Sequence, residues 1–166
     1  MTHVYTEIDS SLGRIVLLSE ENVLTGLYFA EQSKTHIPRA HVPDAVFVEN
    51  TEVEIFTQAN KQLAEYFAGT RTTFKLRYTF TYGTHFQQKV WQSIAKMPHG
   101  ITVSYRDIAT QIGNSRASRA VAATTGQNPL LLIVPCHRII GSDSSLTGYA
   151  GGLKRKQALL TLEKNL

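Results

Sequence analysis

Of the 166 residues only one, Cys136, is a cysteine. That count excludes an internal disulfide and a multi-cysteine zinc site. No apolar run approaches the roughly 20 residues that cross a bilayer. The opening stretch, residues 1–10, has no basic-then-apolar leader pattern. These absences predict a protein of the cytoplasm, or of the nucleus in a eukaryote, with a reduced thiol, no metal, no other cofactor and no membrane partner. Acidic residues are scarce in one half. Residues 84–166 hold ten Lys/Arg against three Asp/Glu (Asp107, Asp143, Glu163), and residues 1–83 hold seven against ten, so the net +4 divides into +7 and −3. The basic half is the candidate for an anionic partner, most simply nucleic acid, although surface-solvating Lys and Arg would give the same count.

Residues 3–8, 14–19 and 23–29 are rich in β-branched and aromatic side chains, with turn formers at 10–13 and 20–22, and predict a β meander. Residues 31–50, with Pro38 and Pro43 and no period, read as a loop. Thr51 and Glu54 match a capping box. Phe56, Ala59, Leu63, Tyr66 and Phe67 then follow helical spacing up to Gly69. Residues 74–80 suit one more strand. Thr84 and Gln87 form a second capping box ahead of an apolar face of Phe86, Val90, Trp91, Ile94 and Met97, closed by Pro98 and Gly100.

Ser104 then caps a short helix with Tyr105, Ile108, Ala109 and Ile112 inward. Gly113-Asn114 turns the chain, and Ser115 opens a second helix to about Thr125 that carries Arg116 and Arg119. The pair has helix-turn-helix spacing, which an ordinary αα-hairpin shares; a basic second helix within a basic half favours nucleic-acid contact. Residues 126–129 break that helix. The apolar run 130–134 predicts a short buried strand ending at Pro135. A polar, glycine-rich loop over 141–152 and a closing helix over 153–163, with Leu159, Leu160 and Leu162 inward, complete the chain.

A lone cysteine is most often a small buried hydrophobe. Cys136 has a second reading, because it follows a buried segment and precedes His137 and Arg138, a base and a positive charge that favour the nucleophilic thiolate. Adjacent residues on a strand face opposite ways, so His137 meets Cys136 only if the chain bends at Pro135.

The run Ile133-Val134-Pro135-Cys136-His137-Arg138-Ile139-Ile140 closely resembles the active-site signature of the O6-alkylguanine-DNA alkyltransferases, the methylated-DNA–protein-cysteine methyltransferase family. Val103-Ser104-Tyr105 resembles that family's entry to the first DNA-binding helix, Ser118-Arg119-Ala120-Val121 its recognition helix, Asn128-Pro129 its hinge, and residues 146–152 its substrate-pocket loop. The match is strong over residues 84–163; residues 1–83 match in pattern only. The resemblance implies an α+β fold: a ribonuclease H-like domain of sheet plus helix over residues 1–83, supporting a helix-turn-helix, winged-helix-like domain over 84–166 that binds DNA and transfers the alkyl group.

The implied partner is duplex DNA bearing O6-alkylguanine, bound by a monomer, with cooperative binding along DNA and repair of O4-alkylthymine left open. The implied chemistry flips the nucleotide out and moves its alkyl group to Cys136 in one step. His137 takes the thiol proton through a water, Glu163 orients the imidazole, and Tyr105 protonates the leaving guanine. The carbonyls of Cys136 and Ile139, the backbone N–H of Ala150, and Asn128, Leu146 and Tyr149 shape the substrate pocket. Arg119, Ala117, Ser118, Ser104 and Tyr105 meet DNA, with Arg119 filling the gap left by the base. No second thiol is present to regenerate Cys136, so one turnover per molecule is expected. Ala122, in place of a common glycine, and Gly126-Gln127 depart from the family pattern and bear on DNA docking. Zinc-binding relatives carry cysteines in the N-terminal half, where this chain has none. Rival readings are a damage binder without transfer, which Cys136 argues against; a redox-sensing DNA-binding regulator; and a cysteine hydrolase.

Overall fold

The apolar and β-branched residues of the first thirty positions fold into an antiparallel meander in the computed structural model, which describes residues 2–32 and 46–164. The strands are β1 (Thr2–Ile8), β2 (Ile15–Glu20) and β3 (Val23–Phe29). Glu21 and Asn22 both take positive φ, 48° and 61°, the geometry of a two-residue turn whose twist matches its strands. A fourth strand, β4 (Val46–Glu49), lies parallel to β1, giving the order β3-β2-β1-β4. The loop expected over 31–50 is therefore corrected at 46–49. Its Pro38 and Pro43 lie outside the described residues.

Helix α1 (Glu54–Phe67) buries Ile55, Phe56, Ala59, Leu63 and Tyr66. The capping box expected at Thr51 and Glu54 is not formed. Val53 is the N-cap and offers no side-chain bond; the Asn22 side chain accepts from Ile55 N at 2.8 Å instead. A residue 33 positions away supplies the cap, which local sequence patterns do not register. Gly69 ends the helix at φ 81°, with Gly69 N donating to Tyr66 O and Thr70 N to Glu65 O, a Schellman closure. The strand expected over 74–80 is reduced to a single bridge, Tyr78 beside Leu24. These elements lie in the first of two compact units, Met1–Tyr82; the second is Gly83–Leu166.

In the second unit α2 (His85–Ala95) begins with the expected capping box: Thr84 Oγ1 accepts from Gln87 N, and the Gln87 side chain accepts from Thr84 N. A two-residue strand, β5 (Val103–Ser104), leads into α3 (Tyr105–Gln111), capped by Ser104 and Asp107 in the same reciprocal way. Gly113, at φ 81°, closes α3. The second helix of the pair, α4 (Ser118–Thr125), starts three residues later than Ser115; Ala117 is its N-cap and Arg116 lies in the turn. Val90, Trp91, Ile94, Ile108, Ala109 and Val121 are fully buried, and Trp91 Nε1 donates to Thr124 O at 2.9 Å.

Strand β6 (Ile139–Ile140) pairs in parallel with β5. Helix α5 (Leu153–Lys164) closes the unit. Its buried positions are Lys156, Leu159 and Glu163, while Leu160 and Leu162, expected inward, are only half-buried.

Candidate active site

The segment between α4 and the cysteine is buried, as its apolar run requires, but it is not a strand. Leu132 sits at φ 71°, a left-handed conformation unfavourable for leucine, and the chain doubles back so that Ile133 N donates to Leu131 O and Val134 N to Leu130 O. Asn128 holds this reversal from inside. Its Nδ2 donates to Val134 O at 2.8 Å and its Oδ1 accepts from Leu130 N at 2.9 Å. Pro135 lacks an N–H, and its ψ of 65° turns the chain into a 3-10 turn, Cys136–Arg138. This is the bend that a straight strand would have denied, and it places thiol, imidazole and guanidinium on one tight turn with all three side chains buried.

The Cys136 thiol is pushed up to about 11 by burial. A hydrogen bond from the Asn128 side chain and the positive charge of Lys156 pull against that shift. The expectation that Arg138 would favour thiolate is overturned, because its guanidinium faces elsewhere. Arg138 Nε donates to Glu163 Oε1 at 2.8 Å, Nη2 to Glu163 Oε2 at 3.0 Å and Nη1 to Met97 O at 2.6 Å. Glu163, an unremarkable helix-end acid in the sequence, is 3% exposed. Its Oε2 also lies 2.7 Å from His137 Nε2. Burial lowers the His137 pKa from its ordinary value; Glu163 opposes that shift, and the charges of Arg138 and Lys156 add to it. His137 Nδ1 is buried and makes no protein hydrogen bond.

Lys156, which was not foreseen, and Thr147, from the loop expected over 146–152, complete the site. Lys156, fully buried, donates from Nζ to Ile139 O at 2.6 Å and to Thr147 O at 2.8 Å. Thr147 Oγ1 donates to the Tyr105 hydroxyl at 3.1 Å, so Tyr105 on α3 is tied to the loop over 141–152. The available signal was spacing. Lys156, Leu159 and Glu163 recur at helical intervals on the inner stripe of α5, and two charges at inward positions call for partners.

The remaining residues fall in several places. Tyr149 is buried, its ring 6.5 Å from that of His137. Ala150 is half-buried at the end of the same loop. Leu146 instead lines a cavity of about 410 Å³ with Gly100, Thr102, Ile140 and Leu160, which neither Cys136 nor Tyr149 lines. The carbonyls of Cys136 and Ile139 each already accept one bond, from Ile139 N and from Lys156, which leaves one lone pair on each. Arg119 is exposed on the first turn of α4, beside half-buried Ala117 and Ser118, and the Ser104 hydroxyl is engaged as the cap of α3. Among the described residues no group of His, Cys, Asp and Glu could hold a metal ion, and no helix is long and apolar enough to cross a membrane.

The chain thus joins a sheet-and-helix unit to a helix-turn-helix unit that carries one buried cysteine one residue from a histidine–glutamate pair. Two family models match within it: the ribonuclease-like domain of 6-O-methylguanine DNA methyltransferase over residues 3–79, and the DNA-binding domain of the same protein over residues 85–165. The methylated-DNA–protein-cysteine methyltransferase of Mycobacterium tuberculosis is 45% identical over 163 residues, 97% of this chain and 92% of that protein. The constitutive one of Bacillus subtilis is 40% identical over 164 residues, 96% of this chain and 94% of that protein. A crystal structure of Mycobacterium tuberculosis OGT in complex with DNA superposes with a TM-score of 0.85 at 41% identity, covering 99% of this chain and 94% of that one. The chain belongs to the 6-O-methylguanine DNA methyltransferase family, and its mixed α+β fold is that of the family's solved members.

Proposed function

We propose that this chain repairs DNA by moving the alkyl group from O6 of guanine in a duplex to the sulfur of Cys136, once per molecule. The observation that carries this reading is the buried Cys136 on the same 3-10 turn as His137, whose Nε2 is 2.7 Å from Glu163 Oε2. The resting thiol is protonated at neutral pH, so it needs a base. His137 takes the proton through a bridging water, and Glu163 stabilises the imidazolium that results. An S–C bond forms as the C–O6 bond breaks, and the departing guanine anion takes a proton from the Tyr105 hydroxyl. The product is a thioether with no good leaving group; no second thiol exists to displace it.

The target atom lies within a base stack, so the nucleotide is flipped out before transfer. Arg119, exposed on α4, fills its place from the minor groove, and Ala117 and Ser118 allow the backbone to come close. Ile139 O and Cys136 O use their second lone pairs on the exocyclic amine, Ala150 N–H donates to O6, and Tyr149 and Asn128 shape and hold the pocket, whereas Leu146 lines the separate cavity beside Glu163. Residues 84–166 carry DNA binding and transfer, and residues 1–83 support them. The protein acts as a monomer. The reading is tested by incubation with a duplex bearing one O6-methylguanine, followed by intact mass. One methyl gained on Cys136, and none in Cys136→Ala, is the expected result; no gain, or repeated turnover, rejects it.

A further inference from the structure

Three nitrogens converge on one buried carboxylate. Arg138 Nε and Nη2 reach Glu163 Oε1 and Oε2 at 2.8 and 3.0 Å, and His137 Nε2 lies 2.7 Å from the same Oε2. Arg138 is charged at any working pH. A carboxylate paired with it through both oxygens stays ionised and only accepts. His137 Nε2 must then be the donor to Oε2, which leaves Nδ1 as the bare nitrogen of the neutral ring. That nitrogen is buried and makes no bond to protein.

We infer that Arg138 is a positioning residue for alkyl transfer: by holding Glu163 ionised and compensated, it keeps a second proton off the His137–Glu163 pair and leaves Nδ1 free to receive the Cys136 proton. The inference rests on the proposed alkyl transfer and adds a residue to it. Without Arg138 an uncompensated buried carboxylate draws in a second proton. If the proton settles on the ring, the imidazolium carries hydrogen on both nitrogens. If it settles on Oε2, that oxygen donates to Nε2 and the ring must carry its own hydrogen on Nδ1. In both cases Nδ1 is blocked. If the proton settles on Oε1, the oxygen that Arg138 Nε now holds, Nδ1 stays bare but Glu163 is neutral and has no charge to set against the imidazolium.

The charged groups acting on the imidazole are Glu163, Arg138 and Lys156, and of these only Arg138 bonds the carboxylate. The third contact of Arg138, from Nη1 to Met97 O just past α2, fixes the guanidinium from the opposite side. When the thiol proton arrives, Nδ1–H forms and the imidazolium faces an already ionised Glu163, so no second proton has to move.

The test reads the ring directly, in protein labelled with nitrogen-15 histidine. In the unmodified chain at pH 7, His137 is expected as the neutral Nε2–H tautomer with Nδ1 bare; a protonated Nδ1 overturns the inference, whatever any variant does. In Arg138→Met the His137–Glu163 pair is expected to hold one more proton at pH 7, seen on Nδ1 or as a neutral Glu163 carboxyl in its carbon-13 shift, transfer to fall by about a hundredfold, and the acid limb of the rate profile to move to higher pH. Arg138→Lys, which keeps the charge, is expected to retain the bare Nδ1 and the original profile. A wild-type profile in Arg138→Met also overturns the inference. Methyl gain by mass is scored separately, so a bare Nδ1 in a protein that never gains a methyl counts against the transfer reading and not against the tautomer.

Discussion

Lys156 Nζ donates to the carbonyl oxygen of Ile139 at 2.6 Å, joining the closing helix to the strand that leaves the cysteine turn. The same ammonium holds Thr147 O at 2.8 Å, so one buried charge secures the cysteine turn and the loop beside it. Lys156→Met removes the charge and leaves two carbonyls without this donor. A loss of about 2–4 kcal/mol is expected, measured by urea unfolding. The Cys136 ionisation should also move further up, since the positive charge of Lys156 pulls it down. A variant as stable as the parent, with an unshifted thiol, contradicts this account.

Asn128 is the second internal clamp. Its amide satisfies Val134 O and Leu130 N and also pulls the Cys136 ionisation down against burial. Asn128→Ala leaves a buried donor and a buried acceptor without partners, a loss of about 2–4 kcal/mol. The reversal at Leu132 is strained and depends on that clamp. Methyl transfer should therefore fall more steeply than stability alone would require, which single-turnover rates measured well below the unfolding midpoint would reveal.

Much of the molecule was legible where chemistry is local. The capping box at Thr84, the cap at Ser104, the glycine stop at Gly69 and the motif around Cys136 each depend on a few neighbouring residues, and each helix or turn forms where the sequence put it. What failed was non-local. The apolar run 130–134 looked like a strand, because a leucine at φ 71° has no compositional signature; Asn128 enforces it from outside the run. The cap of α1 comes from Asn22 across the fold. Arg138 was read through its sequence neighbour Cys136, whereas its charge is matched by Glu163, 25 residues on. Lys156 went unnoticed because exposed helices are rich in lysine, and only the burial of its neighbours marks it as internal.

Gly83 lies at φ 106°, and a Cβ built there would come within 2.6 Å of the Trp91 ring. Trp91 is fully buried and cannot move aside. Gly83→Ala therefore combines backbone strain with overpacking, and about 2–4 kcal/mol of stability should be lost. Tryptophan fluorescence should shift with it, because Trp91 is the single tryptophan.

Arg119 is exposed on α4 and proposed to fill the space of a flipped nucleotide. Unstacking a base costs a few kcal/mol. Arg119→Ala is thus expected to slow transfer from duplex DNA by about tenfold or more, while transfer from the free O6-methylguanine base stays at the parent rate. Equal losses on both substrates would place Arg119 in the pocket rather than on DNA.

The pH dependence follows from His137. Burial holds its pKa below the ordinary 6.5 in the folded protein, whereas the unfolded chain binds that proton near 6.5. Above 6.5 both states are neutral and the group contributes nothing to the pH dependence of stability. As pH falls through 6.5 the unfolded state gains the proton first, so stability declines until the folded-state pKa is reached and then levels. The base itself stays competent in that window, so the acid limb of the methyl-transfer rate should lie below 6.5 even as the protein becomes less stable. Urea midpoints and single-turnover rates measured from pH 8 to 5 should therefore separate: the midpoints fall first and the rates later. A rate that drops at or above 6.5 would mean that the ring is an imidazolium in the resting site and that the buried base described here is absent.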